Sequence, residues 1–437
     1  MSPRAAYAPA SPARGLAAVP SAPALPQGAG YNLLLALMAV ALFAVSHLLL
    51  SMMGLHYEVP GGSIIEKIHP ATWLAVLAFF WALLARGHPL EWADDAVARH
   101  KGLLIFAAAN GVLLWHLMLN LHLPFSMLID TFFLPMLLVL LLAAASGRQL
   151  RMLRLIVHGL MAANALLGIF EVAANWHLTP LIIGDLVQTD DWRATALMGH
   201  PLNNAAVTAH YLIALSLGGG CDLPRPLRIG LFVLNLAALS AFGGRVAFVL
   251  AIAIIGSIAI WRLLNIAAGR RFSVSSAIFV SLAVPAAIAA VILLYDAGIF
   301  DRFLTRFVSD KGSAEARMIM LELFNAIPER DIFFGPQAEQ VAALMRSKGL
   351  VGLESFWVAF ILSYGLAVSL VFFAGLFAFL WDLVKSASPK ALALVIFFLL
   401  EGSTSVSVSA KTTTLAMLVF IAMTMLRRDE DSGYREL

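Results

Sequence analysis

Long apolar runs separated by short polar interruptions occupy most of the 437-residue chain. A helix needs about 20 mostly apolar residues to cross the hydrocarbon core of a bilayer. The pattern therefore predicts an all-α, polytopic membrane protein with about twelve transmembrane helices, neighbouring helices forming antiparallel hairpins. The runs lie near residues 31–53, 70–85, 102–121, 125–146, 152–174, 203–219, 228–242, 246–264, 273–295, 353–381, 391–409 and 412–426.

The segments outside these runs give the predicted domain organisation. Residues 1–30 are rich in Ala, Pro and Ser and lack apolar periodicity, so we expect a disordered tail and not a signal peptide. Residues 31–295 carry the first nine spans, and residues 353–426 carry the last three. Between them lies one long loop, 296–352, and residues 427–437 form a polar tail.

The composition agrees with a lipid environment. Hydrophobic residues make up 61% of the chain and charged residues 13%, and the mean hydropathy is +0.88. A soluble domain carries about 25% charged residues. The net charge of +3 is small and scattered, which argues against a nucleic-acid partner. Cys221 is the single cysteine, so the chain cannot form an internal disulfide.

The distribution of Lys and Arg predicts the orientation in the membrane. With the N-terminus inside, cytoplasmic segments hold 18 of the 29 basic residues, whereas the short loops of the other face hold four: Lys67, Arg193, Arg245 and Lys411. Positive residues in short loops mark the cytoplasmic face. Both termini are therefore expected in the cytoplasm, and loop 296–352 is expected on the outer, periplasmic side.

The outer loop has the signals of two short amphipathic helices. "GSAEARMIMLELFNAI" offers a Ser at an N-cap position and apolar residues at helical spacing, and "AEQVAALMRSKG" ends at Gly349. "PERDIFFGPQ" predicts a turn between them. Two such helices above a membrane protein suggest a lid or a substrate platform.

Ionisable residues inside or beside the spans fall mostly in the outer half of the predicted bundle. Intramembrane ionisable groups are costly and usually face a cavity or a partner. Their shared depth predicts a polar cavity that opens to the outer face. These residues are His47, His116, Asp130, Glu171, His200 and Glu401.

Four stretches resemble, in order and spacing, motifs of the O-antigen polymerase and O-antigen ligase superfamily. They are "MGHPLNNAA" (198–206), "LSAFGGRVAFVL" (239–250), "ARMIMLELFNAIPERDIFFGPQ" (316–337) and "ESFWVAFILSYGLAVSL" (354–370), and the resemblance covers roughly residues 190–380. It implies an enzyme of the bacterial inner membrane. Such an enzyme moves a glycan from an undecaprenyl-pyrophosphate carrier to an acceptor hydroxyl, without a cofactor.

The resemblance also implies a set of site residues. Arginine suits a pyrophosphate leaving group, because its planar fork meets phosphate oxygens bidentately and stays charged. The residues expected to contact pyrophosphate or glycan are Arg245, Arg317, the basic pair Arg302 and Arg306, and Asn203. No metal site is expected. Asp94–Asp95 is expected in a solvated cytoplasmic loop.

One departure from the family bears on the reaction. The ligase branch carries a histidine at the start of the tenth span, a position that Glu354 occupies here. A carboxylate can also serve as general base, and His200 is the second candidate base. The replacement favours a polymerase of exopolysaccharide, capsule or O-antigen repeat units, acting beside a chain-length regulator and a flippase.

Two alternatives stay open. A ligase that transfers a finished glycan to a lipid or protein acceptor would share all four motifs. A transporter or flippase of lipid-linked oligosaccharides is the other class, although the chain has no evident inverted repeat or paired broken spans.

Overall fold

The computed structural model describes residues 25–59, 61–85, 91, 94–95, 98–121, 125–183, 186–188, 191–269, 292, 313–350 and 352–427. Within these ranges the chain is helical almost throughout, which confirms the predicted all-α class. One antiparallel ladder pairs β1 (Ile182–Ile183) with β2 (Leu186–Val187).

The helices of the described ranges are numbered here in chain order. They are α1 (Ala29–Ala44), α2 (His47–Met52), α3 (Pro70–Leu84), α4 (Lys101–His116), α5 (Ser126–Ala143), α6 (Gly147–Ala174), α7 (Pro201–Ser216), α8 (Arg225–Ala241), α9 (Arg245–Ala267), α10 (Ser313–Ala326), α11 (Glu329–Phe334), α12 (Ala338–Ser347), α13 (Phe356–Tyr364), α14 (Leu366–Ala387), α15 (Leu392–Gly402) and α16 (Thr414–Leu426).

Five of the described helices are long and apolar enough to cross a membrane. They are Lys101–Leu119, Ser126–Ala143, Gly147–Ala174, Arg245–Ala267 and Leu366–Ala387. Shorter apolar helices stand at α1, α3 and α16. The lengths and apolar surfaces of these helices characterise a membrane-embedded protein.

Two apolar runs that the sequence presents as single spans are divided in the structure. Run 31–53 breaks at Val45, whose backbone is extended, and Ser46 restarts the helix by accepting a hydrogen bond from Leu49 N at 3.1 Å. Run 353–381 breaks at Gly365, where φ is +82°. The expectation of one continuous helix in each run was therefore wrong.

Two other predicted runs also need comparison with the structure, namely 391–409 and 273–295. Run 391–409 is α-helical only as far as Gly402, and a Ser/Thr-rich segment with one 3-10 turn (Ser407–Ser409) follows. Run 273–295 lies outside the described residues except for residue 292.

The two helices predicted in the outer loop are confirmed as α10 and α12, and α11 occupies the predicted turn. Met320 and Leu323 of α10 pack with Val341 of α12 and with Leu362 of α13 in a small separate core. The described part of the loop is thus a packed unit that contacts the helical bundle.

Two glycines dock this unit on the bundle. Gly335 ends α11 with φ +106°, and Gly365 separates α13 from α14. A Cβ atom on Gly365 would overlap Gly335 N, so the backbones approach to a distance that a side chain would prevent. The outer-loop unit therefore meets the bundle at the point where a helix is interrupted.

Polar contacts divide the bundle into two chemically different ends. At the end that we call the arginine end, Arg154 pairs with Asp222 at 2.8 Å, Arg262 donates to Ser216 O at 2.6 Å, and Arg427 donates to Leu142 O. At the opposite end, the polar end, buried acids and irregular segments replace this arginine cluster.

Candidate functional site at the polar end

A recess opens at the polar end where several helices are interrupted or begin. Its cavity volume is ≈ 30 Å³. Its walls come from the break between α1 and α2, the loop before α3, the start of α7 and the segment before α16. The polar lining residues are Ser46, His47, Tyr57, His69, Asn203, Lys411, Thr412, Thr413 and Thr414.

A buried ion pair forms the floor of this region. Asp130 is fully buried in a π-helical turn of α5, and Lys411 Nζ lies 3.7 Å from its Oδ2. Asp130 also accepts hydrogen bonds from Tyr57 Oη at 2.8 Å and Thr72 Oγ1 at 2.6 Å. Every side of the carboxylate is therefore occupied.

Lys411 is held as firmly as its partner. Its ammonium donates to Tyr57 O at 2.9 Å and Lys67 O at 2.5 Å, and it lies 3.5 Å from the centre of the Tyr57 ring. Burial lowers the pKa of Lys411, and the charge of Asp130 opposes that shift. The pair fastens the loop before α3 to the entry of α16.

His69 satisfies two backbone groups and is neutral. Its Nδ1 accepts a hydrogen bond from Ala71 N at 3.1 Å, and its Nε2 lies 2.8 Å from Val45 O. A ring nitrogen that accepts from an N–H carries no proton, so the proton sits on Nε2 and is donated to Val45 O. Burial lowers the pKa of His69, which agrees with this neutral form.

A second buried acid shapes the segment that leads into α7. Glu171 of α6 accepts hydrogen bonds from Leu178 N at 2.9 Å, Thr195 N at 2.7 Å and Ala196 N at 3.0 Å. Asn164 adds a fourth, from Leu197 N at 3.0 Å. These side chains replace the helical backbone partners that an irregular buried segment lacks.

Arg245 begins α9 after a turn that only glycines fit. Gly243 has φ +66°, and a Cβ atom there would lie 2.8 Å from the Arg193 side chain. A Cβ atom on Gly244 would overlap Ala205 of α7. The turn therefore holds the N-terminus of α9 against the N-terminal part of α7. Arg245 itself is half-buried.

The charge of Arg245 is unusual for its position. The N-terminus of a helix carries the positive end of the helix dipole, which favours anions and disfavours cations. A half-buried guanidinium at that position adds to the positive potential. The first turn of α9 is therefore suited to an anionic ligand.

His200 and Asn203 lie together at the start of α7. His200 is its N-cap and accepts from Leu202 N through Nδ1 at 3.2 Å, and Asn203 lines the recess. Because the Nδ1 lone pair is used, neutral His200 presents Nε2–H as a donor. Burial, followed by the neighbouring His47 and Arg193, lowers the pKa of His200 to about 4.

The other predicted residues are distributed differently. Glu354 is half-buried in the segment that enters α13, two residues before Phe356. Arg317 belongs to α10, the first outer-loop helix, but its side chain lies outside what the structure describes. Arg302 and Arg306 lie outside the described residues. The structure thus brings His200, Asn203 and the Arg245 turn together on α7.

Sequence reasoning missed most of the polar framework. Asp130 and Glu171 stood out as acids inside apolar runs, but their partners did not. Lys411 was counted only as a loop cation, and Tyr57 and His69 were not singled out. The one available signal was the pairing of an acid in one apolar run with a lysine at the entry of another.

Among the described residues, no group of three or more His, Cys, Asp or Glu side chains could hold a metal ion. No protein-family model matches this chain, and no curated protein matches it either.

The ion pair gives a first prediction. Asp130→Asn leaves the buried ammonium of Lys411 without its counter-charge, and breaking such a pair costs about 3–5 kcal/mol. We expect a clear fall in the midpoint of thermal unfolding in detergent. The double variant Asp130→Leu/Lys411→Met should recover only part of the loss, because neither charge is then buried alone but the backbone groups that bonded to the pair lose their partners. Equal melting of Asp130→Asn and wild type would contradict the buried pair.

His200 gives a pH prediction. Its folded pKa of about 4 lies below the unfolded value near 6.5, so the unfolded state binds more protons between these values. The contribution of His200 to stability is therefore complete above pH 6.5 and is lost as the pH falls toward 4. Carbon-13 NMR of labelled histidine should give the low pKa, with His200→Asn identifying the resonance. A pKa of His200 above 6 refutes the prediction.

Proposed function

We propose that this protein is a polysaccharide polymerase of the bacterial inner membrane. It joins oligosaccharide repeat units that are carried on undecaprenyl pyrophosphate, at the periplasmic face. The proposed topology has about twelve membrane spans, both termini in the cytoplasm and loop 296–352 in the periplasm. The observation that carries it is the Gly243–Gly244 turn, which fixes Arg245 at the start of α9 and against α7.

The charges at the two ends of the bundle indicate which end faces the periplasm. The arginine end has the positive residues that mark a cytoplasmic face, including Arg154, Arg262 and Arg427. The polar end then faces the periplasm, where lipid-linked repeat units are joined. The packed helices α10–α12 stand on the same side as a platform for the glycan.

In this proposal Arg245 binds the diphosphate of the donor. A fixed guanidinium and the N-terminal N–H groups of α9 are aligned before the bond breaks, so they stabilise the charge that develops on the leaving group. Arg317, Arg302 and Arg306 supply further positive charge from the outer loop. His200 and Asn203 donate hydrogen bonds to phosphate or glycan oxygens at the start of α7.

Glu354 is the proposed general base. It accepts the proton of the acceptor hydroxyl as that oxygen forms a bond to C1 of the donor glycan. The bond between C1 and the pyrophosphate oxygen breaks on the opposite face, so the anomeric centre inverts. The products are a lengthened glycan and undecaprenyl pyrophosphate. His200 is less suited to this role, because its Nδ1 already caps α7.

The orientation can be tested with one native and one introduced cysteine. Cys221 is exposed in the turn between α7 and α8, at the arginine end, and Ser347 is exposed at the end of α12. An impermeant maleimide added to intact spheroplasts should label Ser347→Cys in a Cys221→Ser background but should not label native Cys221. After lysis both should react. Labelling of Cys221 from outside would reverse the proposed orientation.

The reaction can be tested through Arg245 in liposomes with lipid-linked repeat units from a strain that lacks this protein. A charge-assisted hydrogen bond contributes about 1.5–3 kcal/mol, so Arg245→Ala should slow chain extension by about 10–100-fold. Arg245→Lys should recover only part of the rate, since the bidentate geometry is lost.

Arg262→Ala is the matched control, because it removes an arginine from the opposite end. Its rate should stay near that of wild type. A normal rate for stably folded Arg245→Ala would exclude the diphosphate role. Transfer to a lipid or protein acceptor without chain growth would identify a ligase instead.

A further inference from the structure

The segment between α15 and α16 is an irregular polar stretch between two apolar helices. It runs from residue 403 to 413 with the sequence STSVSVSAKTT, and we call it the 403–413 break. Ser407 within it has φ +41°, in the left-handed region that residues other than glycine rarely adopt. Irregular backbone between apolar helices is usually tolerated where it lines a cavity or is covered by protein.

Two hydroxyls of the break are buried without a hydrogen bond. Ser405 Oγ and Ser407 Oγ have no hydrogen-bond partner among the described residues. Neighbouring serines differ: Ser403 Oγ donates to Leu399 O at 3.1 Å, and Ser409 Oγ donates to Val406 O at 2.6 Å. An unsatisfied buried hydroxyl is costly. Within this segment, Ser405 and Ser407 are therefore the hydroxyls that keep hydrogen-bonding capacity for a ligand.

A buried acid adjoins these hydroxyls. Glu401 lies in the last turn of α15 with 7% of its surface exposed. The Ser405 side chain lies close enough to interact with the Glu401 carboxyl group. Lys411, the cation of the break, is occupied by Asp130 and two carbonyls. The described break thus offers hydroxyls and a carboxyl group. This set suits a neutral, hydroxyl-rich ligand and not a phosphate.

The break is also close to the proposed base. A Cβ atom on Gly402 would lie 3.7 Å from Ser407 Oγ and 3.8 Å from Phe356 Cβ, so the start of α13 packs on the break. Trp357 donates from Nε1 to Ser403 Oγ at 2.9 Å, which fixes the first turn of α13 there. Glu354 stands two residues before Phe356 in the chain.

From these contacts we infer that Ser405 and Ser407 of the 403–413 break, together with Glu401, form the acceptor subsite. It binds hydroxyl groups of the neutral glycan that is to be extended. Ser405 and Ser407 exchange hydrogen bonds with the sugar, Glu401 accepts one from it, and the reacting hydroxyl is presented toward Glu354. This inference rests on the proposed polymerase function.

The experiment separates the acceptor from the donor. Mild acid releases repeat units from the lipid carrier, and a fluorescent tag at the reducing end makes them acceptors without a leaving group. Ser405→Ala and Ser407→Ala should each raise the acceptor concentration for half-maximal rate by about 2–10-fold. Glu401→Gln should also raise it. The donor concentration for half-maximal rate should not change.

Ligand-free stability distinguishes a subsite from a structural role. Removing an unsatisfied hydroxyl takes away a desolvation cost, so both serine variants should melt at the wild-type temperature or above it. Ser409→Ala is the control, because its hydroxyl is already bonded within the segment. It should leave the acceptor parameters unchanged.

Fluorescence anisotropy of the tagged repeat unit tests binding without turnover. If wild type extends chains but Ser405→Ala and Ser407→Ala bind and use the acceptor normally, the subsite is wrong and the polymerase function stands. If wild type extends nothing but binds the tagged unit in a Ser405-dependent way, the polymerase function fails and the subsite stands. Lower melting temperatures with equal losses for donor and acceptor would also overturn the subsite.

Discussion

The fold at the polar end depends on one constraint, which is that buried backbone groups in interrupted helices must find partners. In an apolar environment an unpaired N–H or C=O costs several kcal/mol, and water is absent from the bilayer core. Side chains supply the partners here. His69 binds the carbonyl that the α1–α2 break releases, and Glu171 accepts from three backbone N–H groups of the segments that lead to α7. Each break therefore requires a specific polar residue from another part of the chain.

The Lys411–Asp130 pair is the strongest example of this arrangement. Lys411 donates hydrogen bonds to two backbone carbonyls of the loop before α3, and Asp130 accepts one from the backbone N–H of His69. The two charges therefore neutralise each other while each side chain also bonds backbone groups. Burying a charge is expensive, and the pair offsets that cost only because every remaining hydrogen-bonding position is used. The consequence is a rigid polar wall beside the recess, available before any ligand arrives.

Arg245 differs from the arginines of the arginine end in its place on a helix. At the arginine end, Arg154 and Arg427 are bonded to acids or carbonyls and close the helix ends. At the polar end, Arg245 stands at a helix N-terminus, where the dipole adds to its charge. Glycines at 243 and 244 permit this placement by letting the α9 turn approach α7. Under the proposed function, the first kind of arginine is structural and the second binds the leaving group.

Hydropathy determined the class of the protein, because a chain with such long apolar runs can bury them only as membrane helices. Caps and helical periodicity likewise predicted the outer-loop helices α10 and α12 near their observed bounds. The resemblance named Arg245, Asn203 and His200; the structure places the last two at the start of α7, against which the turn before Arg245 packs. The family, the reaction and the roles of Glu354 and Arg317 stay proposals.

Only the tertiary structure decided where the apolar runs break and what the breaks hold. One serine or glycine, such as Ser46 or Gly365, hardly changes the hydropathy of a long apolar run. The sequence pattern therefore predicts one helix in each run. Whether a break forms depends on a partner far along the chain, such as His69 for Val45 or Gly335 for Gly365. The sequence marks Asp130 and Lys411 as costly residues for a membrane protein. Their pairing, and the recess beside it, follow from how α5 and the entry of α16 pack, which no local pattern encodes.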